Sequence, residues 1–192
     1  MELLEKKIET CGTVIDGHVL KVDGFLNHNI DVPLLKKLAD YVFDKFKDKN
    51  VNKILTVEAS GIALATLVAE RLSCDMTYAK KSRTSNLGDE GVYSASVRSF
   101  THNVTNNIIV NKKYLSSSDR VLVVDDFLAR GEAANGMISI VEQAGATLVA
   151  MVAAIEKGFQ GGGDALRKKG INVLSLAIID KMSPDGLIFR KQ

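Results

Sequence analysis

Short runs of Val, Ile, Leu and Ala alternate along this chain with segments whose apolar residues recur every three or four positions. Runs of the first kind read as strands buried on both faces, and segments of the second kind as amphipathic helices. Strands are predicted over residues 54–58, 76–79, 121–124, 147–155 and 171–179. Helices are predicted over 2–10, from Leu34 to Lys47 on the spacing of Leu34, Leu35, Leu38, Val42, Phe43 and Phe46, and over 62–72, 133–144 and 164–169. Pro33 after Asp31 suits a first helical turn, Gly145 a helix stop, and Asp164 an N-cap. Residues 14–22, with Asp16-Gly17 as a turn, read as a small hairpin, and 23–31 as a polar loop. Residues 93–100 and 107–110 read as an antiparallel pair turning near His102-Asn103, and Pro184-Asp185-Gly186 as a turn near the end. Polar, Gly-containing stretches at 82–91 and 158–163 carry no period; the first has the length and composition of an active-site lid. Strands alternating with helices predict an α/β fold, a mostly parallel sheet flanked by helices on both faces.

Composition narrows the class without naming a chemistry. A chain of 192 residues, 46% apolar and 25% charged, suits one globular domain spanning 1–192. The net charge of +2 gives no field that would favour nucleic acid or an anionic membrane. No apolar run reaches a membrane-spanning length, and the first ten residues lack a signal-peptide core. Cys11 and Cys74 form neither a disulfide framework nor a metal cluster, so reduced thiols and a cytoplasmic location are expected. His18, His28 and His102 are scattered without ligand spacing.

Candidate chemistry centres on residues 121–133, VLVVDDFLARGEA. Asp125 and Asp126 follow the apolar run, which places them at the carboxyl end of a strand, where open α/β sheets bind ligands. The loop behind them opens a helix whose first N–H groups suit a phosphate. Adjacent acids suit ribose hydroxyls, or a Mg²⁺ carried by phosphates; they would also favour a helix dipole without any ligand. Ala59-Ser60-Gly61 repeats the strand, small-residue turn, helix order and offers a second anion cradle, or simply a tight βα turn. Lys80-Lys81 ends the next strand, as phosphate contacts or as solvated cations.

Residues 121–133 resemble the phosphoribosyl diphosphate signature of the type I phosphoribosyltransferases, with Ala129 and Ala133 where many members carry hydroxyls. With 19–28 (VLKVDGFLNH) and 155–160 (IEKGFQ), the resemblance extends over nearly the full length to bacterial xanthine phosphoribosyltransferases. It implies the type I phosphoribosyltransferase fold, with a small N-terminal hood formed mainly by about 1–32 with C-terminal residues. It implies that Leu20, Asn27 and Lys157 contact the purine, and that Ala129, Arg130, Gly131, Glu132 and Ala133 hold the ribose 5-phosphate end. Asp125 and Asp126 would be catalytic, holding the ribose, with Ser60, Gly61, Lys80 and Lys81 on the diphosphate. Mg²⁺ would arrive with the diphosphate, with no side chain assigned as a direct metal ligand. The implied reaction is xanthine plus phosphoribosyl diphosphate to xanthosine monophosphate and pyrophosphate, in a cytoplasmic homodimer with no nucleic-acid or membrane partner. Two rivals stand beside it: transfer to guanine, hypoxanthine or adenine, and a diphosphate-sensing regulator on the same fold. The regulator would usually need a helix-turn-helix or a basic face, and this chain has little room or charge for either.

Overall fold

The computed structural model describes residues 1–15, 17, 19–82, 91–99, 104–183 and 186–191. The lid expected at 82–91, the turn at His102-Asn103 and that at Pro184-Asp185-Gly186 fall largely or wholly outside the described residues, as do Asp16 and His18.

Ten strands are described: β1 (Thr13–Ile15), β2 (Val19–Lys21), β3 (Lys53–Val57), β4 (Asp75–Ser82), β5 (Val92–Ser99), β6 (Val104–Asn111), β7 (Arg120–Leu128), β8 (Thr147–Lys157), β9 (Val173–Ser183) and β10 (Gly186–Phe189). The helices are α1 (Glu2–Cys11), α2 (Val32–Phe46), α3 (Ile62–Leu72), α4 (Glu132–Gln143) and α5 (Gly162–Lys168). β1 and β2 pair antiparallel, as the expected hairpin. The other eight strands form one sheet in the order β10-β9-β8-β7-β3-β4-β6-β5. The pairs from β9 through β4 are parallel, and β10 and the β6-β5 pair close the two edges antiparallel.

Strand periodicity divides the core. Leu122, Val124, Val152 and Ala154 face the helices α1, α2 and α3 through Leu4, Ile8, Leu35, Leu38 and Leu64. Val121, Val123, Met151 and Ala153 face the opposite way, toward Met137, Ile140 and Val141 of α4 and Leu166 of α5. These sheet residues are all fully buried, which is why their runs are continuously apolar rather than alternating. α2 starts where Asp31 accepts a hydrogen bond from Leu34 N–H at 3.0 Å, with Pro33 in the first turn.

Four local expectations are corrected. Residues 23–27 are not a loop but a single π-helical turn, with Phe25 and Leu26 sunk in the core. β7 does not stop before the acids: it runs through Asp125 and Asp126 to Leu128, because both carboxylates are themselves buried. The stretch 158–163 is a 3-10 turn at Gly158–Gln160 followed directly by α5. Asp164 does not cap that helix, whose N-cap is Gly161; its carboxylate is taken by Arg167 and Arg190 instead.

Candidate active site

The sheet order turns at β3 and β7: β3 leads outward to β4, and β7 outward to β8. Side chains from the carboxyl ends of these two parallel strands meet there. Asp126 is the hub. Its Oδ1 accepts a hydrogen bond from Ser60 Oγ at 2.9 Å, and its Oδ2 accepts one from Asn27 Nδ2 at 3.2 Å. The turn after β3 and the π-helical turn of the N-terminal segment therefore converge on one carboxylate. Asp125 lies beside it and accepts Asp126 N–H at 2.9 Å. Burial pushes the Asp125 carboxyl well above the usual carboxylate range, and the Asp126 charge adds to that rise. Gly61 is required by crowding here: a Cβ would sit 2.2 Å from Thr56 Oγ1 and 2.8 Å from Asp125 Oδ1.

The second part of the site is the loop behind β7. Gly131, at φ 87°, turns the chain into α4 in a conformation that favours glycine, and no side chain caps the helix. Its first-turn N–H groups are left for solvent or an anion, as the sequence predicts. Glu132 and Arg130 are exposed at this turn, and Ala133 is half-buried. Gly162 presses on the loop from behind: its N–H donates to Ala129 O at 3.1 Å, and a Cβ there would lie 2.3 Å from that oxygen.

A phosphoribosyl transferase domain matches residues 23–175, most of the chain. The chain belongs to the phosphoribosyltransferase family. Within it the chain is 47% identical to xanthine phosphoribosyltransferase 2 of Clostridium botulinum, over 99% of this chain and 100% of that one. It is 48% identical to xanthine phosphoribosyltransferase of Ruminiclostridium cellulolyticum, over 98% and 99%. The enzyme of that name from Streptococcus pneumoniae is 44% identical, over 100% and 98%. Among solved structures, APRTase from Giardia lamblia complexed with 9-deazaadenine superposes with a TM-score of 0.74 at 21% identity, covering 88% of this chain and 93% of that one. Adenine phosphoribosyl transferase from Trypanosoma brucei gives the same TM-score at 17% identity, over 92% and 78%. At these identities the two structures speak for the fold, which is that of the type I phosphoribosyltransferases.

The remaining predicted positions of this phosphoribosyltransferase fall into three groups. Lys157, at the end of β8, lies half-buried with its Nζ 5.6 Å from the centre of the Phe127 ring, and burial lowers its pKa. Leu20 is sunk in the core cluster that also holds Phe25 and Leu26. The two lysines part company, because strand residues alternate between faces. Lys81 lies on the side of Asp125, which feels its charge, and its N–H donates to Glu58 Oε1 at 2.6 Å. Lys80 points to the other face, into a groove of about 710 Å³ with Tyr78, Lys113 and Tyr114.

Three features at the site escape the sequence pattern. Thr56 is fully buried at the end of β3, and among the described residues its hydroxyl finds no partner. Glu156 is fully buried, held by Arg167 and Ser175. Gly162 and Gly163 are both buried against neighbours that leave no room for a side chain. A glutamate inside an apolar run and a Gly-Gly-Gly stretch are visible signals, yet their partners lie far along the chain. No helix among the described residues is long and apolar enough to cross a membrane.

Proposed function

We propose that this phosphoribosyltransferase converts xanthine and 5-phospho-α-D-ribose 1-diphosphate to xanthosine 5′-monophosphate and pyrophosphate, in purine salvage. The observation that carries the reading is the buried Asp125–Asp126 pair, reached by Ser60 and Asn27 and followed by the uncapped start of α4. The loop 129–133 takes the 5-phosphate through backbone N–H groups, and Asp125 and Asp126 take the ribose hydroxyls. Ser60, Gly61 and Lys81 lie toward the diphosphate. Lys80, on the far face of β4, would reach a diphosphate only at a neighbouring subunit of the homodimer that the family resemblance implies.

The base is read by donors. Xanthine presents carbonyl oxygens at both its two and six positions. Lys157, a donor without acceptor capacity, suits one, and the Asn27 amide N–H, now held by Asp126, suits the other. Leu20 supplies apolar surface beneath. Adenine places an amino donor against Lys157, an unmet pairing of about 1–3 kcal/mol. In the reaction a ring nitrogen of the base bonds to ribose C1′, the bond from C1′ to the diphosphate oxygen breaks with its electron pair leaving on pyrophosphate, and the base gives up its proton. Positive charge develops on the ribose ring between the two steps, and a carboxylate pair fixed beside it stabilises that charge. A cation there also draws Asp125 toward ionisation, against the burial that raises its pKa.

Among the described residues no three His, Cys, Asp or Glu gather to hold a metal. Mg²⁺ is commonly bound by one or two carboxylates together with substrate phosphates and water, so the Asp125–Asp126 pair fits an ion that enters with the diphosphate. That ion would neutralise the departing diphosphate oxygens. One domain over 1–192, hooded by about 1–32, acting in the cytoplasm as a homodimer, completes the reading.

The test is pyrophosphate release with Mg²⁺ and phosphoribosyl diphosphate, offering xanthine, guanine, hypoxanthine and adenine separately. Turnover with xanthine is expected to exceed the others. A preference for adenine would sink the roles of Lys157 and Asn27, and diphosphate binding without turnover on any base would favour a sensor.

A further inference from the structure

Resting on the xanthine reading above, we propose that Arg190 is a positioning residue for the base-contacting strand end at Lys157 and Gly158. It touches no substrate in this scheme and acts through the two carboxylates it clamps.

The register of the sheet places it there. Lys157 pairs with Ile179, and Ile179 pairs in turn with Phe189, so Arg190 follows the one residue of β10 that lies in the same cross-strand row as Lys157. Arg190 N–H extends the ladder by donating to Ile178 O at 2.8 Å. Its guanidinium then takes both carboxylates within reach. Nε and Nη2 donate to Asp180 at 3.0 and 2.7 Å, and Nη1 and Nη2 donate to Asp164 at 2.9 and 3.3 Å. Asp164 is shared with Arg167 at 3.1 Å, and Arg167 holds both oxygens of the buried Glu156, at 2.9 and 2.7 Å. The Ser175 hydroxyl adds a further hydrogen bond to Glu156.

This chain of charges encloses the segment from 156 to 164 and leaves no slack in it. A Cβ at Gly158 would meet Asp180 Oδ1 at 2.7 Å and Arg190 Nη2 at 3.1 Å, so the Arg190–Asp180 pair lies directly on that backbone. A Cβ at Gly163 would lie 2.1 Å from Glu156 Oε1. Between them, Gly162 rests on the Ala129 carbonyl. The backbone bearing Lys157 is thus gripped by the C-terminal segment on one side and by the loop behind Asp126 on the other. Bidentate guanidinium pairs fix direction as well as distance, which lysine in the same place would not. Loss of Arg190 frees the base end of the site while the diphosphate end, built on β3 and β7, keeps its own supports.

The experiment uses the full chain and the variants Arg190→Ala, Arg190→Lys and Asp180→Asn, varying xanthine at saturating phosphoribosyl diphosphate and then the reverse. Arg190→Ala is expected to raise KM for xanthine about tenfold and to narrow the preference for xanthine over guanine, with KM for the diphosphate within about twofold. Arg190→Lys should fall between it and the parent. A purely structural role would instead lower Tm and kcat and leave both KM values unmoved, and that result overturns the proposal. If Arg190→Ala does not fold, Arg190→Lys and Asp180→Asn decide: KM for xanthine unchanged within twofold in both refutes it. If the parent prefers another purine, the reading of the base fails by itself, and the same comparison with that purine still tests Arg190.

Discussion

Thr56 offers a substitution whose expected sign is the reverse of the usual one. Its hydroxyl is fully buried at the end of β3 and among the described residues has no hydrogen-bond partner. An unpaired buried hydroxyl costs about 1–3 kcal/mol, and replacing it with an apolar group of similar shape removes that cost. Thr56→Val does so, but the added methyl is bulkier than oxygen, and the site has little room: a Cβ on Gly61 would fall 2.2 Å from Thr56 Oγ1. Crowding of this kind returns part of the gain, leaving a net stabilisation of about 1 kcal/mol. For a chain of this size that is about 2–4 °C in Tm. Thermal unfolding of the parent and Thr56→Val, without ligands and at one protein concentration, measures it. Thr56→Ser is the control, since it keeps the hydroxyl and loses a methyl, and its Tm should fall. A Tm for Thr56→Val below that of the parent would refute the reasoning, because the hydroxyl would then cost less than the crowding that replaces it. Turnover within a few-fold of the parent is expected, as Thr56 makes no bond to Asp125.

Asp125→Asn should stabilise the ligand-free protein at neutral pH while abolishing most turnover. The raised carboxyl contributes stability that is present in full below its ordinary pKa of about 4 and is lost as pH rises through the higher folded value. The Tm advantage of the variant should therefore be clear near pH 7.5 and vanish near about pH 4; an advantage constant with pH would refute the assignment. Lys157, its pKa lowered by burial, loses its charge at a lower pH than a solvated lysine does. The alkaline fall of kcat/KM for xanthine should move to higher pH in Lys157→Arg, and a fall at the same pH in both would assign the titration to another group. Gly162→Ala would put a Cβ 2.3 Å from Ala129 O and 2.6 Å from Gly131 N, backbone against backbone. It should raise KM for phosphoribosyl diphosphate about tenfold or more, and an unchanged value would show the loop to be pliant.

The fold was legible because its strands are buried on both sides and its helices on one, so two periods separate them. The acids near the carboxyl end of β7 and Ser60 in the turn after β3 are legible for a related reason: in a parallel sheet, the carboxyl end of an apolar run lies at the ligand edge. What escaped depends on partners remote in sequence. The apolar pattern ends β7 before the acids, since a buried aspartate resembles a loop residue until its donors, Ser60 and Asn27, are known. Asp164 has the look of a helix cap, but Arg167 and, 26 residues on, Arg190 claim its carboxylate instead. Lys80 and Lys81 read as a pair, and the pleat of β4 sends them to opposite faces. The polar composition of 23–31 concealed a π-helical turn whose Phe25 and Leu26 anchor it in the core.

That turn makes chain length at residues 23–27 matter as much as side-chain identity. It is a short helical winding with two adjacent apolar anchors, followed by Asn27 reaching Asp126. Removing or adding one residue between Val22 and Asn27 would rotate everything after it by roughly 80–100° about the helix axis. The anchors and Asn27 could not then be satisfied together: either Phe25 and Leu26 stay in the core and the amide swings away from the carboxylate, or the reverse. Single-residue insertions and deletions in this stretch should consequently be far more damaging than most substitutions at its exposed positions, Asp23 and Gly24. Measured as a deletion scan, the N-terminal segment would behave as a ruler whose one gauge length runs from Val22 to Asn27.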